Sequence, residues 1–328
     1  MDKISNTQEN RTLNNILVVL SVNEEHKRLL EGKAPSANFI YSDQKNVNEE
    51  QVKNAEIILG NPPAHLLKAA EKLKWLQLQS AGAGDYTDGN VLPKGTILTN
   101  ASGAYGLAIS EYMLGVTLEL FKKLHLYRDH QVNSDWLYAG KVRSIYRSTA
   151  LIAGLGDIGG EFASKIKALG AYTIGIKRRA TAKPGYLDEL YTMDKFETVL
   201  PRADIVALSL PATKHTYRII NERTIGLMKQ DAILINVGRG NAIDTDALCD
   251  ALESGRLAGA ALDVTDPEPL PREHRLWKLK NAVITPHVSG GFSLQETHDR
   301  VVAICADNLE AWLSGKGLKN VVDLSEGY

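Results

Sequence analysis

The chain has 328 residues, a length that predicts about two domains. It carries 38 Lys and Arg against 39 Asp and Glu, for a formal net charge of −1, and charged residues make up 23% of the chain, close to the globular average. Because proteins that bind phosphate backbones usually carry a basic excess, this balance predicts no nucleic-acid partner.

Short β-branched segments alternate with amphipathic segments, which predicts βαβ units and an α/β fold. In the N-terminal third the predicted strands are Ile16 to Val22, Ala55 to Leu59, Trp75 to Gln79 and Thr96 to Thr99, and the predicted helices include Glu25 to Leu30 and Pro63 to Ala70. Apolar residues at helical spacing then predict one long helix over Leu107 to Leu126. The polar stretch Asp129 to Ser148 is interpreted as an arm or linker.

A second alternating series begins at Thr149 and predicts a second, mainly parallel sheet. Its six predicted strands are Ala150 to Ala153, Tyr172 to Ile176, Ile205 to Leu210, Ala232 to Val237, Gly259 to Val264 and Ala282 to Thr285. Six is the strand count of a doubly wound nucleotide-binding sheet. A last helix is predicted over Leu294 to Leu313, and Asn320 to Leu324 is interpreted as a strand that could return to the first domain.

Cysteine usage and the N-terminal sequence bear on the cellular compartment. The two cysteines, Cys249 and Cys305, lie far apart in predicted helices, which suits a reducing compartment and excludes a disulfide scaffold or a Cys-based zinc site. The segment Met1 to Asn15 is mostly polar and lacks the apolar core of a secretory signal. No apolar run approaches the roughly 18 residues that cross a bilayer. We therefore expect a cytoplasmic protein with no membrane partner and no metal site.

A glycine motif follows the first strand of the second series. Gly154, Gly156 and Gly159 form GxGxxG, with Asp157 and Ile158 between the last two glycines. Such glycines permit a tight turn, close approach of a pyrophosphate and close helix–sheet packing, and the helix N-terminus offers free N–H groups. A glycine-rich turn between packed elements is the alternative. The order strand, glycines, helix and next strand favours dinucleotide binding by these five residues.

The end of the next predicted strand indicates which dinucleotide binds. NAD sites usually place an acid about 20 residues after the glycines, where it binds the ribose 2′-hydroxyl. Lys177, Arg178 and Arg179 stand there instead. Cations would pair with a 2′-phosphate, so NADP is the preferred cofactor and NAD a possible one. The alternative is a solvated basic turn in an enzyme that uses NAD or both cofactors.

Three ionisable residues lie at predicted strand ends or in the loops that follow them: Arg239, Glu268 and His287. Ligands of open α/β sheets bind beyond the carboxyl ends of the strands, so these side chains can converge there. Each has a plain alternative when taken singly, namely a loop charge, a solvated carboxylate and a surface or capping histidine. Their joint occurrence in a dinucleotide-binding half favours a catalytic site.

Taken together, these motifs resemble the D-isomer-specific 2-hydroxyacid dehydrogenase family. The matching segments are GLGDIG at Gly154–Gly159, LINVGRG at Leu234–Gly240, ALDV at Ala261–Val264, EPLP at Glu268–Pro271, TPH at Thr285–His287 and SAGAGD at Ser80–Asp85. The resemblance implies a Rossmann dinucleotide-binding domain, residues 106–297, inserted into a flavodoxin-like substrate-binding domain formed by residues 1–105 and 298–328. Each domain is then a parallel sheet flanked by helices.

The resemblance also implies a reaction, the interconversion of a 2-keto acid and a D-2-hydroxy acid. Hydride addition to the carbonyl carbon requires a proton at the carbonyl oxygen. The implied proton donor and acceptor is His287, oriented by the Glu268 carboxylate. Arg239 is implied to hold the substrate carboxylate or carbonyl by charge-assisted hydrogen bonds. Glyoxylate, hydroxypyruvate or a related short 2-keto acid is the implied substrate.

Further binding residues come from the same resemblance. The backbone N–H groups of Ala81, Gly82 and Ala83 are implied to complete the substrate carboxylate site. Further cofactor contacts are implied for residues around the predicted strand ends, namely Pro211, Thr216, Val237, Gly238 and Asp263. For Asp263 the alternative is a strand-end carboxylate that caps a turn.

The resemblance is compatible with one rival function and also implies an oligomeric state. The long helix and the arm imply a homodimer. A dinucleotide-sensing binding protein of the co-repressor type would share the fold and the three ionisable residues, but no long disordered tail or docking extension is visible, which favours the enzyme. The chain ends at Tyr328 without the regulatory C-terminal domain of many phosphoglycerate dehydrogenases, so we expect no control by serine.

Overall fold

The structure, a computed structural model, describes residues 15–87, 91–291 and 294–324. Most of the polar segment Met1 to Asn15 therefore lies outside the described residues. The chain forms two compact units, one of residues up to Ala104 and from Gln295 onward, and the other of Tyr105–Leu294. In the described ranges no helix is both long enough and apolar enough to cross a bilayer.

The first unit contains a five-stranded sheet in which every pair is parallel, with the order β2-β1-β3-β4-β5. Its strands are β1 (Asn15–Val18), β2 (Asn38–Tyr41), β3 (Ile57–Leu59), β4 (Trp75–Gln77) and β5 (Ile97–Thr99). Its helices are α1 (Glu24–Lys33), α2 (Glu49–Asn54), α3 (Gly84–Thr87), a 3-10 helix at Ala64–Ala69 and a C-terminal helix at Gln295–Leu313. The buried side chains of Leu17, Ile58 and Leu76 form its core.

The C-terminal helix returns to this first sheet. The Trp312 ring stacks on Trp75 of β4 with 5.7 Å between ring centroids. Asn308 Nδ2 donates a hydrogen bond to Gln77 Oε1 at 2.7 Å, and both side chains are buried. The first unit is thus assembled from both ends of the chain around these contacts.

The predicted helix over Pro63 to Ala70 is present as a 3-10 helix at Ala64–Ala69. One interpretation of the first unit was wrong. The predicted strand Asn320 to Leu324 is reduced to one antiparallel bridge between Thr99 and Val321. The cause of this error is a turn, because Asn320 has φ 57° and its side chain donates to the Ser102 carbonyl.

The second unit contains a seven-stranded, all-parallel sheet with the order β12-β11-β10-β9-β6-β7-β8. Its strands are β6 (Thr149–Ala153), β7 (Tyr172–Lys177), β8 (Glu189–Thr192), β9 (Ile205–Leu208), β10 (Ile233–Asn236), β11 (Gly259–Leu262) and β12 (Ala282–Ile284). The chain builds outward from β6 to β8 and then returns to β9 on the other side of β6. This reversal is the point where open α/β sheets bind ligands. The predicted α/β class with two parallel sheets is confirmed.

The helices of the second unit are α4 (Gly106–Lys122), α5 (Leu124–Val132), α6 (Asp157–Ala168), α7 (Phe196–Val199), α8 (Glu222–Leu227) and α9 (Thr245–Glu253). The prediction of one helix over Leu107 to Leu126 was wrong, because α4 and α5 are separate helices. Lys123 between them has φ 60°, and its N–H bonds back to the Leu120 carbonyl, which ends α4. Helix α5 also extends into the stretch that was interpreted as an arm or linker.

Candidate active site

The glycine motif forms the turn between β6 and α6. Gly154 has φ 94°, and an added Cβ there would lie 2.5 Å from the Ser209 carbonyl oxygen. At Gly159 an added Cβ would lie 1.8 Å from the Gly154 carbonyl oxygen. The Ser209 hydroxyl donates to that same oxygen at 2.8 Å. Only glycine fits at both positions, and Ser209, directly after β9, is a supporting residue that the sequence analysis missed.

The outer face of this turn is open. A Cβ added to Gly156, the residue before α6, would meet no atom of the described residues within 4 Å beyond its two chain neighbours. The first N–H groups of an α-helix lack helical partners and attract anions. Ile158 lies half-buried in the first turn of α6. A closely packed inner face and an open outer face at a helix N-terminus fit the pyrophosphate of a dinucleotide.

The side chain of Asp157, in α6, binds the N-terminus of another helix, α4. Its Oδ2 accepts a hydrogen bond from the Gly106 N–H, the first of α4, at 2.6 Å. An added Cβ on Gly106 would lie 2.3 Å from Asp157 Oδ1, so the carboxylate reaches this N–H only beside a glycine. The carboxylate therefore stabilises the start of α4. A contact of Asp157 with a cofactor stays a prediction.

The predicted cationic residues lie beside the turn. Lys177 is the last residue of β7, which pairs with β6, and it is half-buried. Arg178 and Arg179 follow it and are exposed. The segment from Lys177 to Pro184 contains no acidic residue. The end of β7 therefore presents positive charge where an NAD site would present a carboxylate.

Hydrogen bonds within the loop after β9 determine its conformation. Thr216 is buried, and its hydroxyl donates to the Pro211 carbonyl at 2.6 Å while accepting from the Thr213 N–H at 2.9 Å. Pro211 itself is exposed. The structure thus gives Thr216 a loop-forming role, and a cofactor contact by Pro211 or Thr216 stays a prediction.

Arg239 is held by a residue that the sequence analysis did not assign a role. Asn236, the fully buried last residue of β10, accepts from the Gly238 N–H at 3.0 Å and donates to the Arg239 carbonyl at 2.9 Å. Val237 is buried, and the Arg239 guanidinium, half-buried, donates to the Gly238 carbonyl at 2.8 Å. An asparagine that ends an apolar strand was the available signal for this positioning residue.

The histidine and its carboxylate are in direct contact. His287 Nδ1 lies 2.7 Å from Glu268 Oε1, and both side chains are nearly half exposed. Because a carboxylate accepts, Nδ1 carries the proton in this bond and Nε2 is left for a substrate. Strands β10, β11 and β12 are adjacent and in register, so Arg239, Glu268 and His287 follow neighbouring strands at one edge of the sheet.

Asp263, at the end of β11, organises the loop that carries His287. It is 2% exposed, and its oxygens accept from the Val288 N–H at 2.9 Å and the Ser289 N–H at 3.0 Å. The Thr285 and Ser289 hydroxyls also donate to it. This is the geometry of a capping carboxylate. A contact between Asp263 and a nicotinamide stays a prediction.

The glycine-rich loop after β4 belongs to the first unit. Its shape is fixed by hydrogen bonds from Asn100 Nδ2 to the Ala81 carbonyl at 2.9 Å and from the Ser80 hydroxyl to the Gly82 carbonyl at 2.7 Å. Ala83 is buried. The backbone N–H groups of Ala81, Gly82 and Ala83 find no acceptor in the described part of the chain. Such unpaired donors are suited to an anion.

Comparisons with known proteins agree on one family. The family model described as D-isomer specific 2-hydroxyacid dehydrogenase, NAD binding domain, matches residues 114–289. A glyoxylate reductase of Thermofilum pendens is 32% identical over 260 residues, which cover 77% of this chain and 76% of that protein. Another, of Thermococcus litoralis, is 33% identical over 270 residues and 79% of each chain. The crystal structure of a D-isomer specific 2-hydroxyacid dehydrogenase family protein from Aeromonas salmonicida aligns with a TM-score of 0.84 at 31% identity, over 95% of this chain and 99% of that chain.

Proposed function

Because the chain belongs to the D-isomer specific 2-hydroxyacid dehydrogenase family, we propose that it reduces glyoxylate, hydroxypyruvate or a related short 2-keto acid, preferably with NADPH. It is an NAD(P)H-dependent oxidoreductase that interconverts 2-keto and 2-hydroxy acids. The rival function, dinucleotide sensing, is not favoured, because the named relatives are enzymes. The observation that carries the proposed site is the 2.7 Å contact between His287 and Glu268.

Each residue has a separate task in the proposed reaction. The nicotinamide dinucleotide, when bound, supplies the hydride for the carbonyl carbon. His287 gives its Nε2 proton to the carbonyl oxygen as negative charge develops there. Glu268 accepts from Nδ1, which fixes the ring orientation and stabilises the protonated imidazole. Arg239 donates to the substrate carboxylate and orients the carbonyl carbon.

The binding residues divide between the two units in the proposal. Residues 106–297 form the dinucleotide-binding domain, with the turn Gly154–Gly159 for the pyrophosphate and Lys177 to Arg179 for the 2′-phosphate. Residues 1–105 and 298–328 form the substrate-binding domain. There the N–H groups of Ala81, Gly82 and Ala83, which have no acceptor among the described residues, are the proposed donors to the substrate carboxylate.

The activity is tested by following loss of reduced-nicotinamide absorbance with NADPH and NADH in parallel. The substrates are glyoxylate, hydroxypyruvate, pyruvate and a branched 2-keto acid. Turnover of glyoxylate or hydroxypyruvate supports the proposed substrate class, and turnover of the branched acid alone contradicts it. Tight dinucleotide binding without turnover of any 2-keto acid would favour the sensing role.

The cofactor preference rests on the cationic residues after β7. Replacing both Arg178 and Arg179 with Ala should raise the KM for NADPH about tenfold or more and change the KM for NADH less than twofold. The reason is that the two guanidinium groups would pair with the 2′-phosphate, which NADPH has and NADH lacks. Lys316→Ala removes an exposed cation from the first unit as the matched control. Equal effects on the KM values of both cofactors would show that Arg178 and Arg179 belong to a solvated turn and do not bind the 2′-phosphate.

The homodimer is proposed from the arm, residues 129–148. Trp136 is fully exposed, and Leu137 and Tyr138 are 59% and 77% exposed. A cluster of large apolar side chains on the surface is typical of an interaction site, here for a second copy of the chain. We expect light scattering after gel filtration to give twice the chain mass of 35.9 kDa. A single chain mass at micromolar concentration would contradict the dimer.

The cytoplasm is the proposed location. Cys249 and Cys305 are both buried and unpaired, which is the state expected in a reducing compartment.

A further inference from the structure

The loop that carries His287 rests on helix α4. Gly290 lies so close to the helix that an added Cβ would stand 2.9 Å from Ile109 Cδ1. One turn further along α4, the Tyr112 hydroxyl lies 2.8 Å from Thr285 Oγ1. The helix therefore contacts the loop before and after His287.

The hydrogen bonds between Tyr112 and the loop have a definite direction. Both oxygens of Asp263 accept backbone N–H groups, the pattern of a carboxylate with no proton to donate. The single proton of the Thr285 hydroxyl therefore points to Asp263 Oδ1, 2.6 Å away. Thr285 Oγ1 is left as an acceptor, so the Tyr112 hydroxyl donates to it. Burial raises the pKa of Tyr112 to about 12, and the hydroxyl keeps its proton at physiological pH.

Asp263 connects this series of bonds to the histidine. Its backbone carbonyl accepts the His287 N–H at 2.8 Å, and its carboxylate accepts the N–H of Val288, the next residue. His287 has φ 53°, in the left-handed region that a residue with a side chain adopts only where its neighbours hold it. The bonds to Asp263, together with a second bond from the His287 N–H to the Thr285 carbonyl at 3.0 Å, hold it there.

We infer that Tyr112 is a positioning residue for the proton donor, acting through Thr285 and Asp263 on the backbone of His287. This inference rests on the proposed function of His287. Without the Tyr112 hydroxyl, the bond from the Thr285 hydroxyl to Asp263 becomes weaker, because hydrogen bonds in series strengthen one another. The backbone at His287 then loosens, and its ring loses the close contact with Glu268.

The inference predicts a pH-dependent defect. Among the described residues, the ionisable groups that contact the loop include Glu268 at the His287 ring, Asp263 beneath its peptide, Tyr112 from α4, and Tyr105, the residue before α4, whose ring lies beside Gly290. Weakening the contact with Glu268 destabilises the protonated ring, so the ring loses its proton at lower pH. The alkaline limb of the kcat/KM profile should then move toward acid, while the acid side changes little.

Tyr112→Phe removes only the hydroxyl. We expect kcat/KM for the 2-keto acid to fall about five- to tenfold at alkaline pH and less than twofold on the acid side, a shift of the alkaline limb by about 0.7 to 1 pH unit. The Kd for NADPH, from fluorescence titration, should stay within about twofold of wild type. Tyr172→Phe is the matched control. Tyr172 is the first residue of β7, and its hydroxyl donates to Glu189, so its loss should change neither kcat/KM nor the Kd for NADPH.

Variants of Thr285 test the route. Thr285→Ser keeps the hydroxyl and should behave as wild type, whereas Thr285→Val should reproduce the Tyr112→Phe defect. If Tyr112 acts through Thr285, the double variant should be no worse than Thr285→Val alone. Additive losses would overturn the inference, as would a loss that is equal at every pH.

His287→Gln is measured beside them to separate this inference from the proposed function. Retained turnover in His287→Gln would overturn the function of His287 and the inference with it. An inactive His287→Gln with a wild-type profile for Tyr112→Phe would overturn the inference alone.

Discussion

Replacing His287 with glutamine is expected to lower kcat for 2-keto acid reduction by about 10²- to 10⁴-fold, the contribution of a positioned acid. Glutamine nearly preserves the size and hydrogen-bonding character of the side chain but has no proton to transfer. The Kd for NADPH should stay within about twofold of wild type, because the proposed dinucleotide turn lies at β6 and not at β12. Steady-state rates and fluorescence titration give the two quantities.

Glu268→Gln is the companion variant. It keeps an oxygen that can accept from His287 Nδ1 but removes the charge that stabilises the protonated ring. Its loss of kcat should therefore be smaller than that of His287→Gln. If His287→Gln fails to bind NADPH, the histidine is a structural residue of the loop. If turnover survives, another group donates the proton.

Gly156→Ala is expected to fold as the wild type does and to bind NADPH at least about tenfold more weakly. Gly156 has φ −80°, which alanine adopts readily, and the added methyl group would meet no described residue within 4 Å other than its chain neighbours. What the methyl group would obstruct is a ligand that approaches the N-terminus of α6. Circular dichroism melting and fluorescence titration separate the effect on the fold from the effect on binding.

Two further glycines serve as comparisons for Gly156→Ala. At Gly226, inside α8, an added Cβ would also meet no described atom within 4 Å beyond its chain neighbours and its own helix, so Gly226→Ala should not lower Tm and should leave the Kd for NADPH unchanged. Gly159→Ala should lower Tm, because its Cβ would lie 1.8 Å from the Gly154 carbonyl oxygen. An unchanged Kd in Gly156→Ala would mean that the pyrophosphate does not approach this turn.

The sequence predicted the strands that contain a mainly apolar run and missed two edge strands of mixed polarity. Strand β10 is buried along its whole length, and its apolar run was recognised. Strands β2 and β8 lie at sheet edges and read NFIY and ELYT, with mixed polarity and partial burial. A half-buried edge strand needs no continuous apolar run, so its sequence does not mark it.

Supporting residues were harder to predict than the groups they support. His287 and Arg239 stood out by chemical type and position, but Tyr112 acts on a loop 173 residues away, across contacts that only the folded chain creates. Asp157 looked like part of the dinucleotide motif, yet its carboxylate bonds to Gly106, 51 residues earlier. The break between α4 and α5 at Lys123 has no glycine or proline beside it that would have predicted it.

The contact of the C-terminal helix with the first sheet has a consequence for synthesis on the ribosome. Residues 105–294 are continuous, so the second unit can fold as soon as they emerge. The first unit begins earlier in the chain but lacks the helix that packs Trp312 on Trp75 until residues 295–313 have been synthesised. Its apolar surface near Trp75 stays exposed while the roughly 190 residues of the second unit are synthesised. During this period we expect a chaperone that binds exposed apolar surface to matter most.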